Sequence, residues 1–144
     1  MPGPAPLSPF EYAVVRVVPR PERGECLNAG VVLICRPKRF LAARVFLDPA
    51  RLAAFAADPA FDHEGVGAHL ALIPRIAAGD PGTGPIGRLS QTERFHWLVA
   101  PQSTMVQPSA VHTGLCVDPA AVLERLLATL VLPLIAADLD NGRR

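Results

Sequence analysis

Lysine is almost missing from this chain of 144 residues: Lys38 stands alone among the 14 basic residues, and the 13 acidic ones leave a formal net charge of +1. A phosphate-tracking surface is normally a dense basic stripe, and no such stripe is written here. Nucleic acid is therefore not an expected partner. Cysteine is scarce as well. Cys26, Cys35 and Cys116 form no CxxC pair and stand near no histidine at ligand spacing, so reduced thiols and a cytoplasmic setting are expected rather than a disulfide framework or a zinc site. The four histidines do not repair that lack. His63 and His69 fall in one segment, His96 and His112 lie far apart, and no metal or cofactor is indicated.

Long apolar runs are missing too. The richest stretch, residues 126–137, is interrupted by Thr129 and Pro133 and is too short to span a bilayer, so no membrane partner is expected. The first nine residues hold four prolines, with neither a basic nor an apolar region of the kind a signal peptide carries. They read as a disordered leader. Glycines at 79–87 lack the Lys-Ser/Thr ending of a P-loop.

What is present is half hydrophobic, much of it alanine, enough for one core in a chain of this size. The reading is an α+β domain over residues 10–132, with a tail from 133 to 144. A mainly antiparallel sheet is expected, with an N-terminal three-stranded meander plus one or two later strands, packed by two to three helices. Residues 10–18 end in a β-branched run closed by Pro19, and residues 27–35 are apolar on both faces, as an inner strand requires. Residues 40–47 follow after a short turn. Asp48-Pro49 and Asp118-Pro119 each place a capping carboxylate before a proline at the first helical position. Val66, Leu70, Ile73 and Ile76 recur at helical spacing, which predicts a helix over 62–78 kinked or bounded by Pro74. Residues 94–99 alternate Phe95, Trp97 and Val99 and are expected to form a fourth strand with Trp97 in the core. A short strand is expected near 115–117, after a long polar stretch.

Two polar concentrations are the candidate sites. The first gathers Arg16, Arg20, Arg23, Glu25 and Asn28 around a hairpin loop, where guanidiniums beside glycine suit a phosphate or carboxylate. Interleaved Arg and Glu equally suit a self-paired, solvated loop, and Gly30 suits a bulge. The second runs from Arg94 through residues 101–114, with His96, His112, Ser103 and Thr104 as proton-transfer or hydroxyl candidates and Gln102 and Gln107 as further contacts. No nucleophile elbow or orienting carboxylate accompanies them, and polar side chains that bond local backbone give the same composition.

The pattern Tyr12, Arg16, Pro19, then Arg23-Gly24-Glu25, then Asn28-Ala-Gly30-Val-Val, followed by Arg94-Phe95, resembles a bacterial family known as domain of unknown function 3037. The similarity covers about residues 10–131. It implies no activity or cofactor, and it implies an accessory role beside a HipA-like protein kinase. Two classes of function stand open. One is a small interaction module that binds such a kinase or a second copy of itself. The other is a small-molecule or phosphate-binding enzyme that uses both polar clusters, provided they meet in one cleft.

Overall fold

A computed structural model describes residues 3, 5–102 and 104–134 of the chain. β1 (Ser8–Val17) pairs antiparallel with β2 (Leu27–Cys35), and β2 pairs antiparallel with β3 (Phe40–Val45). Strong turn geometry sets this meander. Gly24 closes the first connection at φ 71°, a left-handed conformation that a side chain disfavours, and Arg39 closes the second at φ 51°. β2 is buried on both faces, as its unbroken apolar run requires. β1 begins at Ser8, inside the stretch expected as a leader.

The other flank of β1 is divided. β5 (His112–Cys116) pairs with its first half, from Ser8 opposite Cys116 to Tyr12 opposite His112. β4 (Val106–Pro108) pairs with its last residues, from Val15 opposite Pro108 to Val17 opposite Val106. Ser109 bridges the gap: its hydroxyl accepts from the Val14 amide at 2.8 Å, and its own amide donates to the Val14 carbonyl at 2.8 Å. The sheet order is therefore β3-β2-β1, with β4 and β5 sharing the outer flank.

Two cores follow from strand alternation. On one face Val15, Val17, Val32 and Ile34 pack with α1 (Pro49–Phe55), α2 (His63–Ala77) and α3 (Gln91–Leu98) through Leu52, Leu70, Ile73 and Phe95. On the other face Phe10, Val31, Leu33 and Cys35 pack under α4 (Pro119–Leu130) through Leu123 and Leu127. Full burial of each such aliphatic side chain contributes about 1.5–3 kcal/mol. Gly114 makes room for this second core, because a Cβ there would stand 2.5 Å from Cζ of Phe10.

Asp48, Asp62 and Asp118 cap α1, α2 and α4, each accepting from a backbone amide in the first turn. α2 runs through Pro74 to Ala77, with the proline in its last turn. No helix of the described residues is long and apolar enough to cross a membrane. The expected tail lies, from residue 135 onward, outside the described residues.

The antiparallel α+β expectation holds, with four α-helices among the described residues. Residues 94–99 are a correction: they form most of α3 and not a strand. Ser90 and Glu93 decide this. The Ser90 hydroxyl accepts from the Glu93 amide at 3.2 Å and donates to its carboxylate at 2.9 Å, an N-cap that outweighs the two-residue alternation of the aromatics. In a helix Phe95 and Leu98 point inward together, so Trp97 is turned out and 40 % exposed, not in the core. The polar stretch at 101–114 is also shorter than expected, since β4 and the start of β5 lie within it.

Candidate functional site

The arginines of the first candidate cluster are divided by the end of β1 at Val17. Arg20 and Arg23 sit in the β1–β2 connection, beyond the end of the sheet. Arg20 pairs with Asp58 at 2.8 Å and with Glu22 at 3.7 Å, and Arg23 pairs with Glu25. These pairs are exposed, worth about 0–1 kcal/mol each, and they neutralise both guanidiniums. With Phe55, Phe61 and Met105 they line an open cleft of about 930 Å³ between this connection and the segment joining α1 to α2. Met105 belongs to the second polar cluster, and its carbonyl accepts from the Val18 amide at 2.6 Å. The two loops therefore meet at one end of the sheet.

Arg16 lies elsewhere. It stands between Val15 and Val17, which face the three-helix core, so its side chain projects to the α4 face. Its cross-strand partners are Asn28 on β2 and Gln107 on β4. The Asn28 amide donates to the Leu130 carbonyl at 3.0 Å, and Arg51 donates to the Val131 carbonyl at 3.1 Å. Together they satisfy carbonyls that the C-terminus of α4 leaves open. Pairing shifts by one residue between Val15 and Arg16, a bulge that leaves Ala29 unmatched and brings Gly30 against β3. A Cβ on Gly30 would stand 2.7 Å from the Arg44 carbonyl oxygen. The Asn-x-Gly pattern thus has a structural basis in a helix cap and a close strand approach.

The second cluster does not assemble a catalytic group. His96 is exposed on α3, on the three-helix face. His112 is exposed on β5 opposite Tyr12, which packs toward the α4 core, and the two rings lie 5.2 Å apart. The histidines are on opposite faces of the sheet. The Thr104 hydroxyl donates to the Val106 carbonyl at 2.8 Å, and Gln107 donates to the Thr104 carbonyl at 2.7 Å. Both shape the connection into β4. His112 and Thr104 are separated by most of the length of β1, about 20 Å at the usual rise per residue. Gln102 borders a small crevice with His69 and Trp97, where burial holds the His69 imidazole below its ordinary pKa. Ser103 lies outside the described residues.

Arg94 is a structural latch. It is buried, donates to the carbonyls of Leu89 and Ala77, and packs beside Gly79, whose φ of 76° lets the chain turn closely around the guanidinium. It joins the end of α2, the turn before α3, and α3 itself. Among the described residues no three His, Cys, Asp or Glu side chains gather as metal ligands.

A feature that motif reading passes over is the outer edge of β5. Among the described residues, the main partner of this strand is β1, and four of its five residues are exposed or half exposed. Leu115 is 64 % exposed and sits opposite Pro9, while Leu7 (62 %) and Val117 continue the apolar strip along the two strands. The sequence does carry a signal for it, because residues 111–117 contain no formal charge and no proline. Those are devices by which edge strands are normally protected.

The sequence model of a family described as a protein of unknown function, DUF3037, matches residues 12–131. No curated protein and no solved structure matches the chain.

Proposed function

The chain belongs to the DUF3037 family, and we propose that it works as a small interaction module that takes an extended segment of a partner protein onto the edge of β5. The observation that carries this reading is the uncharged, proline-free edge with Leu115, Val117 and Leu7 exposed beside it. β-strand addition needs an open row of backbone donors and acceptors for affinity, and an apolar strip beside it for side-chain recognition. The other surfaces suit it less. α4 turns Glu124, Arg125 and Thr129 outward, and β3, the edge strand at the other side of the sheet, carries the exposed charge of Arg44. Catalysis is disfavoured by the placement of His96 and His112 on opposite faces.

The fitting partner presents a short extended segment with alternating apolar side chains. A HipA-like kinase is the partner class to try first, in a cytoplasmic setting that the three free thiols support. Co-expression and co-purification with the kinase is the test, with Leu115→Arg and Thr113→Pro as edge variants whose folding is checked by circular dichroism. Capture by the wild type and loss in both variants is expected. Elution of the wild type apart from the kinase at micromolar concentration would remove that partner, and unchanged capture by Leu115→Arg would remove β5 as the surface. A second copy of the chain would show as a dimer in sedimentation.

A further inference from the structure

We infer that the edge of β5 pairs with the β5 edge of a second copy of this chain, antiparallel about a two-fold axis at Gly114, and that this self-pairing governs access to the edge. The inference rests on the open edge of the proposed function and names the occupant it has at rest. Of the ten large apolar side chains exposed among the described residues, four, Leu7, Val111, Leu115 and Val117, lie along this one border of the sheet. Leu115 stands opposite Pro9, two residues from Glu11, whose partner Ile34 belongs to the three-helix core, so Leu115 faces that side. Val111 and Val117 flank it at alternate positions. The helices of both layers pack chiefly over β2 and β3, which leaves this border beyond their cover.

Symmetry selects the second copy. In a two-fold antiparallel pair each residue meets the one equally far from the axis in the other strand, so an edge pairs with itself only if its pattern reads alike from both ends. β5 runs from His112 to Cys116, and full overlap puts the axis at its midpoint, Gly114. Leu115 then stands opposite Thr113 of the second copy and Val111 opposite Val117, so apolar and β-branched side chains meet along one face. Any charge close to the axis would stand near its own copy, a repulsive pair, and residues 111–117 carry no formal charge. A partner of different sequence imposes no such condition, since complementary charges would serve it as well. One short strand and its strip make an interface of the transient class, below about 1,200 Å² in total. The dimer therefore exchanges, and an extended segment of another protein competes with the second copy for the same edge.

The test is sedimentation velocity of the full chain from micromolar to millimolar concentration, beside amide hydrogen exchange across residues 112–116. The wild type is expected to pass from monomer to dimer as concentration rises, with exchange in β5 slowing in step. Leu115→Arg and Leu115→Glu should each stay monomeric, because the two copies of residue 115 become diagonal neighbours about 7–8 Å apart and carry like charges. An equimolar mixture of the two variants should dimerise again. A wild type that is monomeric throughout, a Leu115→Arg chain that dimerises as the wild type does, or a mixture that stays monomeric would overturn the self-pairing. Should either variant fail to fold by circular dichroism, exchange in the wild type decides, and a dimer that leaves β5 unprotected would sink the inference. The readouts keep the two proposals apart. A monomeric wild type that still captures the kinase through β5 removes this inference alone, whereas a β5 dimer beside absent capture removes the kinase and upholds the self-pairing.

Discussion

Asn28 in the second strand donates its side-chain amide to the carbonyl of Leu130 at the end of the last helix, 3.0 Å away across 102 residues of sequence. This bond ties the end of α4 to the sheet. Replacing Asn28 by alanine leaves a partly buried carbonyl unpaired, and the expected loss is about 1–2 kcal/mol. Urea unfolding followed by circular dichroism measures it as a lowered midpoint with an unchanged slope.

Glycines with the same chemistry are expected to respond oppositely. Gly30→Ala forces a Cβ to within 2.7 Å of the Arg44 carbonyl oxygen, backbone that can yield only if β2 and β3 separate, and a loss of about 2 kcal/mol or more follows. Gly67 lies in α2, where an added Cβ would meet nothing within 4 Å, so Gly67→Ala is expected to stabilise by up to about 1 kcal/mol. Thermal melts of the two variants side by side check the sign of each.

Burial keeps His69 below its ordinary pKa of 6.5 in the folded chain. The unfolded chain therefore binds the proton more readily, and the stability His69 contributes is present above the unfolded pKa and lost as pH falls through the folded one. His69→Gln removes this dependence. Urea midpoints of wild type and variant between pH 7.5 and about pH 5 should diverge toward acid, with the wild type losing more.

The thiols are expected to fall into two classes. Cys26 is half exposed, whereas Cys35 and Cys116 are buried, and burial together with the neighbouring Cys35 pushes the Cys116 thiol above its usual range. In a reaction with a chromogenic disulfide at pH 8, one thiol per chain should react quickly and two only as the fold opens. Cys26→Ser should abolish the fast phase.

Local devices are the most legible in the sequence. Asp48-Pro49 and Asp118-Pro119 mark helix starts because a cap is made within three residues, and β2 is visible because burial on both faces leaves an unbroken apolar run. α3 is obscured because Phe95, Trp97 and Val99 imitate a strand, while the deciding bond lies upstream at Ser90. Which arginine faces the sheet and which faces solvent depends on where β1 ends. That boundary separates Arg16 from Arg20, which composition alone groups together. The placement of β4 and β5 on one flank of β1 is written in no local pattern, because it joins segments far apart in the chain.

The shared flank of β1 also bears on the order in which the molecule is made. Val14 is joined to Ser109 across 95 residues, so a chain emerging from the ribosome can close its N-terminal hairpins long before β4 and β5 exist. Closing contacts at such separation is slow, and until then the first strand presents a bare side to every other nascent copy. Synthesis from the N-terminus thus holds open, for a time, a second sticky border that the finished protein conceals.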